Sequence, residues 1–156
     1  MSPTLIAKDL MTKKVTTVSP EVSIKDAALK LFKMGVSSLP VVDGENHVIG
    51  IISEGDLIKM ALPSYALEAG RLSFLPEYEP FERKLANADK VKIKEIMREA
   101  MTIEEDEPII EVARLMVIKQ VRSIPVVKDA KLTGMISRCD VLKEMVRRSG
   151  ILGETK

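Results

Sequence analysis

Gly50-Ile51-Ile52-Ser53-Glu54-Gly55-Asp56-Leu57 returns later in the chain as Gly134-Met135-Ile136-Ser137-Arg138-Cys139-Asp140-Val141. The recurrence decides the fold, because it means that one unit is used twice. Each copy runs from an apolar segment into Ser-x-x-Asp, a spacing that predicts a strand ending at a helix N-terminus. The likeness extends outward from there. Ala7-Lys8-Asp9-Leu10-Met11 matches Ile93-Lys94-Glu95-Ile96-Met97, and Thr17-Val18 falls opposite Thr102-Ile103. Ser23–Ala28 stands opposite Pro108–Ala113, and Val36-Ser37-Ser38-Leu39-Pro40-Val41-Val42 opposite Val121-Arg122-Ser123-Ile124-Pro125-Val126-Val127. The spacing between matched positions drifts by single residues, as small loop changes produce. With only two copies, this is a duplicated module and not a solenoid.

Each unit reads as helix, strand, helix, strand, strand, helix, an α/β (α+β) arrangement. A short helix carries the Leu-Met or Ile-Met ending, and a short extended segment follows at Thr17-Val18 or Thr102-Ile103. From Ile24 to Met34, the residues Ile24, Ala27, Ala28, Leu31 and Phe32 fall on one helical stripe. Ser23 fits the N-cap, with Asp26 three residues on, and Pro108 suits the first helical position of the second copy. Leu39–Val42 and Ile124–Val127 are short apolar runs, the pattern of strands buried on both faces. Asp43-Gly44-Glu45-Asn46 is a turn cluster. Val48–Ile52 and Leu132–Ile136 read as strands pairing with the runs before them. The expected organisation is a first repeat over residues 1–60, an insert over 61–90 and a second repeat with a short tail over 91–156, forming one structural module. The insert holds Pro63, Pro76 and Pro80 and four of the five aromatics, Tyr65, Phe74, Tyr78 and Phe81. Such anchors predict a segment packed on the module or on a partner chain; the sharper alternative is an aromatic closing over a bound base.

Composition narrows the function classes. Among 156 residues, 24 basic side chains face 23 acidic ones, a net charge of +1. That gives no bulk attraction to nucleic acid or membrane. No apolar run approaches the roughly 20 residues of a membrane span, and the N-terminus has no signal-peptide stretch, so a cytoplasmic location is expected. Cys139 is the single cysteine and His47 the single histidine, which argues against disulfides, zinc sites and nucleophile chemistry. His47 reads as an exposed turn residue, Cys139 as a small half-buried one, and Met34, Met116 and Met135 as core. Arg147-Arg148 reads as the charge complement of a helix C-terminus. No triad, metal cluster or carboxylate pair emerges, so no catalytic residue is assigned and the expectation is a protein that is not an enzyme and needs no cofactor.

Taken alone, Ser53-x-x-Asp56 or Ser137-x-x-Asp140 is a capping box, with serine at the N-cap and the acidic residue reaching back. Three features add a ligand reading. Gly50 and Gly134 let a ligand or a neighbouring backbone come close. The free N–H groups of a helix start form an anion site. An aspartate beside them accepts two hydrogen bonds from a ribose diol while phosphate sits on the N–H groups.

Ser-Ser-Leu-Pro-Val-Val and Arg-Ser-Ile-Pro-Val-Val, each followed by a turn and Gly-h-h-Ser-x-x-Asp (h is apolar), resemble the tandem cystathionine-β-synthase (CBS) domain pair. The resemblance covers nearly all of the chain except the insert and the last few residues. It implies two repeats, each with a small three-stranded sheet and helices, packed sheet to sheet with pseudo-twofold symmetry. It further implies clefts between the repeats that bind adenine nucleotides or other adenosyl compounds, homodimerisation, and regulation of an effector protein. One implied site uses Ser53 and Asp56 with Thr102, Ile103, Arg122, Ser123 and Ile124. The other uses Ser137, Arg138 and Asp140 with Thr17, Val18, Ser37, Ser38 and Leu39. The aspartates would hold ribose, the hydroxyl side chains phosphate, ribose or base edge, and Ile103, Ile124, Val18 and Leu39 would flank the base.

The two sites are not expected to be equal. Arg122 stands where the first copy has Ser37, and Arg138 where it has Glu54. The leading reading is therefore a regulatory module for AMP, ADP, ATP, S-adenosylmethionine or NAD with unequal sites. A scaffold or dimerisation module with vestigial clefts is the alternative, and nucleic-acid binding comes third.

Overall fold

The computed structural model describes residues 4–62 and 81–153, the side chains of residues 81 and 82 excepted. In chain order the elements are α1 (Ala7–Leu10), α2 (Ile24–Met34), β1 (Ser38–Val42), β2 (Val48–Ser53), α3 (Glu54–Ala61), α4 (Phe81–Ala86), β3 (Ile103–Glu104), α5 (Ile109–Ile118), β4 (Ser123–Lys128), β5 (Lys131–Ser137) and α6 (Arg138–Ser149). A 3₁₀ turn over Ile93–Glu95 stands where the second copy of α1 is expected. None of the described helices is long and apolar enough to cross a membrane.

The chain forms two compact units. The first comprises Thr16–Asp43 with Ile49–Glu99, the second Met1–Val15 with Gly44–Val48 and Ala100–Lys156. Against the expected bounds of 1–60 and 91–156, each unit takes in the lead-in segment that precedes the other repeat. The motif glycines explain how. An added Cβ at Gly50 would lie 2.7 Å from Met97 Sδ, and one at Gly134 would lie 2.8 Å from Met11 Cγ. The methionine that ends each lead-in thus occupies the space a strand side chain would fill. The residue after it pairs with the strand. Arg98 exchanges backbone hydrogen bonds with Ile51 at 3.0 and 2.9 Å, and Thr12 with Met135 at 2.9 Å both ways. In the first unit Lys92 and Lys94 also reach Glu21, at 2.6 and 3.0 Å. The hydrogen bond from Lys92, seconded by Lys94, holds the Glu21 carboxyl below the usual carboxylate range.

The second unit contains a three-stranded sheet, β3-β4-β5, and the first a two-stranded one, β1-β2. In the second, Ile103 and Glu104 run parallel to Val126 and Val127, and β4 and β5 are antiparallel with Gly134 opposite Val126. The third strand expected in the first unit shrinks to a single parallel bridge, Val18 to Val41. Its continuation is lost because Ser19 turns back, accepting the Glu21 N–H at 3.3 Å, and Pro20 has no N–H for a ladder. Thr102 likewise precedes its strand and does not belong to it.

Each unit has its own core. Ile24, Leu39, Val41, Ile52 and Ile93 are fully buried in the first, and Ala7, Val112, Val126 and Ile136 in the second. The stripe on α2 buries Ile24, Ala27 and Leu31, but Phe32, expected on it, is 83% exposed, and Met34, expected in the core, is exposed too. Met116 is core, as expected. Ser23 caps α2 by accepting the Asp26 N–H at 3.1 Å. Pro108 is the N-cap of α5 and not its first helical residue. Cys139 is exposed where a half-buried position was expected. His47 is half-buried, bridged to Lys131 through a residue pair in the second unit. Tyr65, Phe74, Tyr78 and the Phe81 side chain lie outside the described part.

Candidate functional site

Both Ser-x-x-Asp segments sit where a strand passes into a helix. β2 ends at Ser53 and β5 at Ser137, each serine extended and serving as N-cap of the next helix. The order follows from composition, since the apolar strand residues bury and the cap turns the chain at the first polar pair. The Asp56 N–H donates to Ser53 Oγ at 3.4 Å, and Asp56 Oδ2 accepts the Ser53 N–H at 2.8 Å. In the second unit the Asp140 N–H donates to Ser137 Oγ at 3.2 Å, and Asp140 Oδ2 accepts the Ser137 N–H at 2.8 Å. These are two matching capping boxes, each fixing a carboxylate beside a helix N-terminus.

The segment before each Pro-Val-Val strand anchors the same helix start. Glu54 donates its N–H to the Ser37 carbonyl at 3.0 Å, and Arg138 to the Arg122 carbonyl at 2.9 Å. Within the first unit lie Ser53, Asp56, Thr17, Val18, Ser37, Ser38 and Leu39. Within the second lie Thr102, Ile103, Arg122, Ser123, Ile124, Ser137, Arg138 and Asp140. Each of the two residue sets implied by the resemblance therefore draws on both units. Ser37, Ser38 and Ser123 are half-buried, and Thr102 and Arg122 exposed. Val18, Leu39, Ile103 and Ile124, which the resemblance sets against a base, are core side chains of their own units, at most 5% exposed.

The capping boxes match, but their surroundings differ. Arg98 donates from Nε to Asp56 Oδ1 at 2.7 Å and from Nη2 to Ser53 Oγ at 3.4 Å. Asp56 is mostly shielded, with its side chain 13% exposed, while that of Arg98 is 55% exposed. Thr12 takes the place of Arg98 in the second unit, and among the described residues no cation bonds Asp140. Arg138 instead turns its Nε to the Val121 carbonyl at 2.9 Å. Sequence reading finds the contrasts at positions 122 and 138 but misses Arg98. The signal is in the lead-in repeat, where Met97-Arg98 matches Met11-Thr12. Among the described residues, no group of His, Cys, Asp and Glu side chains is arranged to hold a metal ion.

The sequence model of the CBS domain matches residues 7–62 and 93–147, one match for each copy of the motif. The chain belongs to the CBS domain family. A CBS domain-containing protein of Dictyostelium discoideum is 32% identical over 145 residues, 92% of each chain. The CBS domain pair of protein MJ0100, solved in complex with 5′-methylthioadenosine and S-adenosyl-L-methionine, superposes with a TM-score of 0.69. It is 27% identical, covering 94% of this chain and 99% of that one. The CBS-pair protein CBSX2 of Arabidopsis thaliana gives a TM-score of 0.76 at 22% identity, covering 94% of this chain and 98% of that one, a likeness of fold alone. The CBS architecture of two repeats built of helices and small sheets is thus established for this chain.

Proposed function

We propose that this CBS pair is a ligand-sensing regulatory module. It binds an adenosine-containing ligand at the Ser53–Asp56 and Ser137–Asp140 helix starts and passes occupancy to a partner protein. The ligand is AMP, ADP or ATP, with S-adenosylmethionine or NAD as the other members of the class. The observation that carries this reading is the matched pair of capping boxes, each holding an aspartate beside backbone N–H groups. A carboxylate accepts the hydrogen bonds of a ribose diol, and a helix start favours a negatively charged group. The two adenosyl compounds bound by the MJ0100 pair support the same class of ligand. Occupancy changes the output only where two conformations differ in ligand affinity. The same reading has two copies of the chain associating through exposed apolar helix faces.

Thermal unfolding with AMP, ADP, ATP, S-adenosylmethionine and NAD tests the proposal. A ligand at about 100 times its dissociation constant adds about 2.7 kcal/mol. At roughly 2–4 °C per kcal/mol for a chain of this size, the midpoint rises by several degrees. If no adenosyl compound raises it, a scaffold module with vestigial sites is the better account.

A further inference from the structure

We infer that Arg98 determines which adenosyl compounds the Asp56 site accepts, a step that rests on the proposed function. An ionised carboxylate offers about four acceptor positions, two on each oxygen. At Asp56, Oδ2 accepts from both the Ser53 N–H at 2.8 Å and Ser53 Oγ at 3.0 Å, and Oδ1 accepts Arg98 Nε at 2.7 Å. One position is left, and a ribose diol brings two O–H donors. The Ser53 N–H bond is part of the cap of α3, so releasing it opens the helix start, and both Ser53 bonds lie on Oδ2, which leaves Oδ1 as the oxygen a diol meets first. Arg98 is the partner that can leave. It is the more exposed of the pair, and its backbone stays bridged to β2 through its bonds to Ile51.

The guanidinium is therefore a latch on the ribose-binding carboxylate. A nucleoside must displace the cation and offers nothing in return. A nucleotide also displaces it, but its phosphate gives the freed guanidinium a new bidentate partner. The Asp56 site thus discriminates for the phosphate although the latch itself lies on the ribose group. Asp140 accepts only the Ser137 N–H with its side chain, and Thr12 stands in the latch position. That site takes a diol without displacing a cation and carries no such discrimination.

The experiment titrates adenosine and AMP by calorimetry into the Asp140→Ala protein, which leaves Asp56 as the responding site, and into Asp140→Ala/Arg98→Ala. A partly exposed ion pair is a modest competitor. Removing it should raise adenosine affinity about two- to fivefold and, with the guanidinium's bond to phosphate also gone, shrink the preference for AMP over adenosine about tenfold. Arg98→Lys, which keeps the charge without the fork, should keep more of that preference. If Arg98 only reinforces the cap, Arg98→Ala lowers the ligand-free melting temperature and leaves the AMP-to-adenosine ratio unchanged, which overturns the inference. It is equally overturned if adenosine affinity stays constant or falls, or if the wild type binds and neither Asp140→Ala protein does. If the wild type binds neither compound, this inference is overturned, and the proposed function fails with it only where none of the other adenosyl compounds raises the melting temperature.

Discussion

Asp56 and Asp140 each cap a helix, and under the proposed function each also holds a ligand, two roles that substitution separates. Replacing Asp140 with Ala removes the acceptor for the Ser137 N–H, a cap contribution of about 1 kcal/mol. Asp56→Ala removes the matching bond and also strands Arg98, so it should cost the ligand-free protein more than Asp140→Ala does. Either change should weaken a ligand at its own site about ten- to a hundredfold, the loss of a charge-assisted hydrogen bond of about 1.5–3 kcal/mol. Urea unfolding with and without AMP reads both effects. A variant that loses ligand-free stability but keeps the full added stabilisation by AMP identifies its aspartate as a cap only. The cap and the carboxylate were legible in the sequence because their geometry is local, within a span of four residues. The Arg98–Asp56 bond was not, because the two residues are 42 apart and no periodicity links them. Phe32 marks another limit, since a helical stripe says which residues share a face but not how far round the helix the core extends.

At the scale of elements, the β4–β5 connection carries its own strain. Asp129 and Ala130 both have positive φ, 53° and 66°, the requirement of a two-residue hairpin turn whose twist matches the strands. Asp tolerates this region better than Ala, which has no side-chain hydrogen bond to offer there. The left-handed penalty of about 1–2 kcal/mol for an L-residue exceeds the extra chain entropy of glycine, about 0.5–1 kcal/mol. Ala130→Gly should therefore stabilise the protein by about 0.5–1 kcal/mol, read as an upward shift in the urea midpoint with an unchanged slope. A neutral or destabilising result would mean that the Ala130 methyl contributes packing that outweighs the strain. Turn chemistry of this kind is poorly legible, because Asp-Ala is not one of the residue pairs that signal the turn. The lead-in segments were legible as elements but not as neighbours. Their repeat pattern is the same whichever unit they join, and what assigns them is Met11 against Gly134 and Met97 against Gly50, with the Thr12–Met135 and Arg98–Ile51 pairs beside them.

At the scale of the whole molecule, the apolar surface left on the helices calls for a partner. On α5 and α6, Ile110, Val117, Leu142 and Met145 are between 59% and 80% exposed. Ala113, Met116, Val117, Val141, Leu142 and Met145, with Arg138, line a groove of about 390 Å³. The first unit repeats the feature with Leu29, Phe32 and Ile58 on α2 and α3. Patches of this kind mark interaction surfaces on soluble proteins, and a face borne twice by one chain is suited to a twofold contact with a second copy. Three cations of these helices are paired within the chain, Arg114 with Glu111, and Arg147 and Arg148 with Glu144, while Arg138 on the groove is held by the Val121 carbonyl. The hydrogen bond from Arg147 holds the Glu144 carboxyl below its ordinary range, and that from Arg114 does the same for Glu111. Light scattering at micromolar concentration should give the mass of a dimer, and Val117→Glu/Leu142→Glu should give that of a monomer, because each new carboxylate would have to be desolvated at the contact. The protomer should still fold, since both side chains face solvent on the single chain, and its apparent stability should fall only by what dimerisation adds. A wild-type protein that is monomeric at that concentration would leave these faces to an effector protein, and a double variant that remains a dimer would place the contact elsewhere.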